Sequence, residues 1–336
     1  MNQGTSPRSV AILGAGIVGL ASAWELVQQG LEVTVVDRAA SGAGASRANG
    51  AQLSYSYVQP LADASLWRQL PKLLLSSDSP LTLRIQADPA QWAWGLQFLA
   101  ACRGDVSRQT TQTLLALAAR SRAGFDAMVV QTGLACDFAA TGKLVLYSDA
   151  ASFAGAQHQM LLQRALGSVQ EAVDAAGCVA IEPALQAHAP RIAGAIHTPS
   201  ECSADCYKVC EGLETMLRAR GVRFLLNTEV TGLVTEGKRL RAAQSSAGAI
   251  EADAFVLAMA TGSVPLARSL GIRLPVYPLK GYSVTVQAAQ ERHAAPKVSV
   301  TDAARKIVFA RLGERLRIAG MAELVGNDTH IPEARI

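Results

Sequence analysis

Between Ser9 and Asp37 the chain reads SVAILGAGIVGLASAWELVQQGLEVTVVD, and its apolar positions change period twice. Val10–Leu13 is an unbroken apolar run of strand length. From Ile17 the apolar residues fall at helical spacing, with Ala23, Leu26 and Val27 continuing one face, and Gly30 stands where a helix ends. Leu31–Val36 is apolar again, as suits a strand covered on both faces in a parallel sheet. The pattern predicts strand, helix and strand, with Gly14, Gly16 and Gly19 at the first turn.

Beyond Asp37 that rhythm lapses. RAASGAGASRANGAQLSYSYVQP is a small-residue loop, and PAQWAWGLQFLAACR marks the centre of a long Trp-rich helical region. The parallel-sheet pattern resumes near Ser203. SADCYKVCEGLETMLRARG predicts a helix capped by Ser203 or Asp205 and closed by Gly221. The segment from Gly221 to Gly262 then predicts a strand, a β-meander and a further strand ending at Thr261-Gly262.

The glycines have separate tasks. Gly14 permits a tight turn, Gly16 lets backbone approach a pyrophosphate, and Gly19 lets helix and strand pack closely. The helix N-terminus, from Ala15 through Ile17 and Val18, offers amides and a partial positive charge to phosphates. Asp37 can accept both hydroxyls of an adenosine ribose and disfavours a 2′-phosphate, with Arg38 the cation beside it. A nicotinamide dehydrogenase usually continues at once with more β-α-β units. An interrupted dinucleotide fold is the layout of a one-dinucleotide flavoprotein.

Composition narrows the classes. Half of the 336 residues are hydrophobic and 17% are charged, which suits about two buried cores. A net charge of +4 without a dense Lys/Arg stripe, and 5% aromatic content, point away from nucleic acid. The apolar run Val10–Ala23 is broken by glycine and leads into Glu25 and a second strand pattern, unlike a secretory signal. No apolar stretch reaches the ~20 residues of a membrane helix. The expectation is a cytoplasmic protein with reduced cysteines; peripheral contact with the inner membrane and a homo-oligomer stay open. Cys202, Cys206 and Cys210 share an i, i+4, i+8 spacing that is no established zinc or cluster pattern. They are read as packing, with Cys202 before the helix, and no metal is expected. Trp67, Trp92 and Trp94 are read as packing in preference to a membrane or quinone dock.

Several segments together resemble the D-amino acid oxidase superfamily of FAD enzymes, and within it the bacterial D-amino acid dehydrogenases. Ala48-Asn-Gly-Ala-Gln-Leu-Ser54 resembles the loop these enzymes lay along the flavin. Pro80-Leu81 and Trp92-Ala-Trp94 resemble their first substrate-domain helices. Asn227-Thr-Glu-Val230 resembles the segment whose valine backbone meets adenine, and Ala258–Gly262 the turn over the pyrophosphate. Pro275–Tyr282 and Arg317–Glu323 resemble strands of the substrate sheet. The resemblance covers Arg8 to about Asp328. It implies an α/β, Rossmann-like FAD-binding domain (1–57 and 203–272), interrupted by an α+β substrate domain with an antiparallel sheet (58–202 and 273–336). Ser46, Asn49, Gly50, Gln52, Leu53, Val230, Thr261 and Gly262 join the glycine turn, Asp37 and Arg38 as expected FAD contacts. The loop after Asp37 has neither His nor Cys, so the flavin is expected without a covalent bond.

The resemblance implies oxidation of a D-amino acid to an imine, which water hydrolyses to a 2-oxo acid and ammonia. Electrons then pass to a quinone or other carrier. Hydride leaves Cα only when the amine lone pair can push, so the protein's tasks are orientation, desolvation and carboxylate binding. A carboxylate wants an Arg fork, or Lys with a Tyr hydroxyl. Lys280 and Tyr282 lead the candidates, with Tyr55, Tyr57, Arg305 and Arg311 behind them, and Gly281 lets backbone come close. Glycine- or sarcosine-type oxidases using oxygen share the expected fold. In the family a closing strand and a glycine-rich loop follow the point where this sequence stops. On that reading the first domain has an exposed edge and the flavin lacks part of its cradle, so an inactive or partner-dependent fragment is a further alternative.

Overall fold

The computed structural model describes residues 8–64, 66–67, 81–288 and 295–333. The chain divides into two compact units: Met1–Asn49 with Asp205–Val276, and Gly50–Ala204 with Tyr277–Ile336. The sequence reading puts the changeovers after 57, 202 and 272. Residues 50–57 go with the second unit because Gln52 and Leu53 pair with Ser203 and Cys202, and the Ala204 amide donates to the Ala51 carbonyl at 3.1 Å.

In the first unit a parallel sheet runs in the order Ala254–Leu257, Ser9–Leu13, Glu32–Val36, Arg223–Leu225. Helix Ile17–Gln28 makes the crossover between Ser9–Leu13 and Glu32–Val36. It packs against helix Cys206–Ala219. That second helix follows from its sequence. Asp205 caps it by accepting from the Tyr207 and Lys208 amides at 3.0 and 3.4 Å, and Val209, Cys210, Leu213 and Leu217 form its buried stripe. Ser203, the other expected cap, lies in strand Cys202–Ser203 instead, and Cys202 is on that strand too. Strands Val230–Glu236, Arg239–Ser245 and Gly248–Glu251 form the meander, which shares a core with Ala11, Leu13 and Val36.

In the second unit a mixed sheet runs in the order Lys280–Gln287, Arg315–Leu324, Ile307–Leu312, Ser299–Asp302, Lys143–Tyr147, Gly194–Thr198, Glu171–Val173. Most neighbours are antiparallel. Strand Ser299–Asp302 meets Lys143–Tyr147 in parallel, and Leu81–Leu83 pairs in parallel with the end of Arg315–Leu324. Leu81 therefore opens a strand where the resemblance implied a helix, and Pro80 lies outside the described residues. The Trp-rich segment is helical over Pro89–Ala101, and Gly104–Thr132 is a second, longer helix ended by Gly133. Trp94 stacks on Phe98 and Tyr277, with ring centres 5.0 and 5.7 Å away. Leu144, Leu146, Ala195 and Val300 form the sheet's core with Cys178 and Leu185.

Truncating the fully buried Leu213 to Ala removes the centre of the Cys206–Ala219 stripe. The expected loss is about 3 kcal/mol, read as a lower urea midpoint at an unchanged slope.

Candidate functional site

In the first unit the turn is built from backbone contacts that exclude side chains. A Cβ on Gly14 would stand 2.4 Å from the Ala258 carbonyl oxygen, and one on Gly19 would stand 1.9 Å from the Gly14 oxygen. Gly14 also has a φ of 116°. Gly16 differs. Its backbone is extended, and the nearest atom to a Cβ there would be Ser46 Oγ at 3.4 Å. The Ile17 amide donates to Ser46 Oγ at 3.0 Å; among the described residues the Gly16 and Val18 amides have no hydrogen-bond acceptor. Val18 is 66% exposed, and the first turn of helix Ile17–Gln28 carries no acidic residue. The positive end of that helix therefore has no acid of its own turn beside it.

Asp37 organises the neighbouring backbone. Its Oδ2 accepts from the Ala15 amide at 2.8 Å and its Oδ1 from the Ala39 amide at 2.9 Å, while its carbonyl accepts from the Thr228 amide at 2.8 Å. Turn, acid and the 227–230 segment are therefore together. Val230 buries its side chain against Ala11, Leu13 and Val36. Arg38 is exposed. Asn49 Nδ2 donates to the Ser46 carbonyl at 3.2 Å. Thr261 and Gly262 lie in a 3-10 turn, Ala260–Gly262, directly after the stretch that covers Gly14.

In the second unit Gly50 and Ala51 lead into strand Gln52–Leu53, and Gln52 Nε2 reaches the Phe309 carbonyl at 3.4 Å. The next residues are held by two buried charges. Lys143, 3% exposed, donates from Nζ to Ser54 Oγ at 2.8 Å and lies 4.3 Å from the centre of the Tyr57 ring. Glu201, 1% exposed, accepts from the Tyr55 and Ser56 amides at 2.9 and 2.6 Å. Burial lowers the Lys143 ammonium to about 8, an effect the Glu201 charge opposes. Burial likewise raises the Glu201 carboxyl, against the Ser56 amide and Lys143. Tyr55 is pushed up to about 12, mainly by burial, so its hydroxyl stays protonated. The Arg122 guanidinium lies 5.4 Å from the centre of the Tyr55 ring and donates to the Ser200 carbonyl at 2.9 Å.

Lys280 and Tyr282 are brought together, and a carboxylate of the chain itself lies between them. Tyr282 Oη donates to Glu323 Oε2 at 2.7 Å, Lys280 Nζ is 4.0 Å from the same oxygen, and Nζ also donates to the His330 carbonyl. Gly281 passes close to the Met321 carbonyl. Arg311 turns back to the Gly313 carbonyl at 2.7 Å and lies 3.7 Å from Glu314. Arg305 pairs with Asp302 at 2.8 Å. Lys143, Glu201, Arg122 and Glu323 are absent from the sequence-based candidates. For Lys143 the available signal was a charge opening the apolar run KLVLY, at a strand end where charge is ordinary. Among the described residues no group of three or more His, Cys, Asp or Glu could hold a metal ion, and no helix is long and apolar enough to cross a membrane.

Residues 9–336 match the family model described as FAD dependent oxidoreductase. The chain belongs to that family. It is 44% identical over 333 residues to D-amino acid dehydrogenase 2 of Ralstonia nicotianae, covering 97% of this chain and 78% of the relative. With D-amino acid dehydrogenase 2 of Pseudomonas aeruginosa it shares 46% identity over 330 residues, covering 97% and 77%. In fold it is similar to glycine oxidase from Geobacillus kaustophilus, with a TM-score of 0.74 at 20% identity over 98% of this chain and 74% of that one.

FAD is the cofactor of the family, and the first unit's turn suits its diphosphate. No backbone crowds Gly16, and among the described residues the Gly16 and Val18 amides have no acceptor from the chain, which leaves them for a phosphate. Gly16→Ala separates folding from this role, because the chain itself leaves room for the methyl group. Its urea midpoint is expected within error of the wild type, while FAD affinity, measured by flavin fluorescence quenching, falls at least tenfold.

Lys143 generates a pH dependence. Its folded value of about 8 lies below the ordinary 10.5, so between those pH values the unfolded chain binds more protons and stability rises with pH. The cost of burying the charged form is fully present below about pH 8. In Lys143→Met that rise is expected to vanish from a denaturation series between pH 7 and 10.5. Overall stability should also be lower, because Glu201 is left buried without its cation.

Proposed function

We propose that this chain oxidises D-amino acids to 2-oxo acids and ammonia, and passes the electrons to a quinone or similar carrier at the cytoplasmic face of a membrane. The observation that carries the reading is identity above 40%, over nearly the whole chain, to two proteins named D-amino acid dehydrogenase 2. The Gly14–Gly19 turn, Asp37, and the 227–230 and 258–262 segments would hold the adenosine diphosphate half of FAD. Ser46, Asn49, Gly50, Gln52 and Leu53 would line its other half. The loop from Arg38 to Tyr57 has no His or Cys, so the group is held without a covalent bond. When bound, FAD supplies the acceptor for the hydride that leaves the substrate Cα.

The side chains have positioning work to do. Tyr55, kept protonated by burial, is a neutral donor suited to a substrate carboxylate, with Arg122 the cation beside its ring. Lys280 and Tyr282 form a second pair that grips a carboxylate, at present that of Glu323. Arg311, engaged by Gly313 and Glu314, has no part in this reading. No residue need act as a strong base, provided the amine arrives unprotonated and is held dry.

The chain reconstituted with FAD and mixed anaerobically with D-alanine is expected to lose its visible flavin band, at least a hundredfold faster than with L-alanine. Under air it should reduce a quinone analogue with little peroxide. Steady peroxide formation would instead assign a glycine- or sarcosine-type oxidase, and a band unchanged by any D-amino acid would overturn the reading.

A further inference from the structure

The second unit contains a cavity of about 390 Å³ with two unlike walls. One wall is Gln52, Leu53, Ser54, Tyr55 and Val58. The other is Leu114, Leu117, Ala118 and Ser121, which sit at i, i+3, i+4 and i+7 on helix Gly104–Thr132 and so form one stripe of its surface. Leu117 is 60% exposed, although it stands on the apolar stripe. The lining carries no formal charge. Charges border it near the first wall: Arg122, next to Ser121, stacks on Tyr55 and lies 3.6 Å from Asp126, and Lys143 donates to Ser54 Oγ.

The first wall is built to stay in place. Two almost fully buried charges hold it, Lys143 through the Ser54 hydroxyl and Glu201 through the Tyr55 and Ser56 amides. Burying an ammonium and a carboxylate is costly, and removing either leaves the other uncompensated. The opposite wall is part of a continuous helix. The space between them is an open groove bounded by a tethered segment on one side and a continuous helix on the other. About 150 Å³ of apolar cavity suffices for benzene, so this one can take an isobutyl or benzyl group.

We infer that this cavity receives the side chain of the amino-acid substrate and selects neutral, apolar side chains larger than methyl. This rests on the D-amino acid reading above. With the carboxylate at the Tyr55 and Arg122 end, a leucine or phenylalanine side chain lies along Ala118, Leu117 and Leu114. A lysine or glutamate side chain laid along Ala118, Leu117 and Leu114 would bring its charge against apolar side chains. Each methylene transferred from water is worth about fourfold in binding.

The test uses the full chain with FAD and compares Ala118→Phe, which fills the cavity, with the wild type and with Leu117→Ser, which removes apolar area at an already exposed position. Anaerobic flavin reduction gives kcat/KM for D-leucine and D-alanine, and calorimetry gives the affinities of the unreactive carboxylates 4-methylpentanoate and acetate. The wild type is expected to favour leucine, and 4-methylpentanoate, by at least tenfold. Ala118→Phe should cut both ratios about tenfold, and Leu117→Ser about threefold. Wild-type flavin that neither D-alanine nor D-leucine reduces overturns the parent reading. Reduction by D-alanine with both ratios unchanged in Ala118→Phe overturns the pocket assignment while leaving that reading standing.

Discussion

The first unit depends on two places where the chain touches itself too closely for any side chain. The carbonyl of Ala258 lies against Gly14, and the carbonyl of Gly14 lies against Gly19. The first contact seats the turn that follows strand Ala254–Leu257 on the turn that follows Ser9–Leu13. The second brings helix Ile17–Gln28 down onto the strand it leaves. Either methyl group would have to move backbone, which in a close-packed sheet moves the neighbouring strands as well. Gly16, between them, meets no backbone: the nearest atom to a Cβ there would be Ser46 Oγ at 3.4 Å.

The second unit solves its positioning problem by different means. Segment Ser54–Tyr57 has no regular secondary structure, so hydrogen bonds along a strand or helix cannot fix it. Buried charge does so instead: Lys143 at the start of one sheet strand and Glu201 just before strand Cys202–Ser203 reach the segment from two sides. The desolvation that lowers the Lys143 ammonium and raises the Glu201 carboxyl is the cost of that arrangement. A pair like this contributes little net stability, and its value lies in the single geometry it enforces.

This division explains what was legible in the sequence. Strand, glycines, helix, strand and acid lie within 29 residues, and each feature has a local cause, so their order could be read directly. The Asp205 cap and the Cys206–Ala219 stripe were legible for the same reason. Cys202 precedes the helix as read, but the strand it forms with Ser203 was not legible, because it depends on pairing with the distant Gln52, Leu53 and Ala139. The ties of Lys143 to Ser54 and of Glu201 to Tyr55 span 89 and 146 residues, distances at which no periodicity survives. Glu323 shows the same limit. A strand irregularity at Lys280 sets both Lys280 and Tyr282 beside it, and nothing in PLKGYS announces a buried carboxylate 41 residues later.

Asp37 shows how one side chain can organise the backbone of the first unit. Its two carboxylate oxygens each accept one amide, from Ala15 on the glycine turn and from Ala39 beyond the strand, and its carbonyl accepts from Thr228. Three separate stretches of backbone are thereby fixed around one side chain. A carboxylate offers about four acceptor positions, so two remain after these bonds, the number needed for a pair of vicinal hydroxyls. Because the acid is already anchored, a ribose bound there, as the proposed function has it, would order no flexible side chain, and the entropy that such ordering would consume would stay available for affinity.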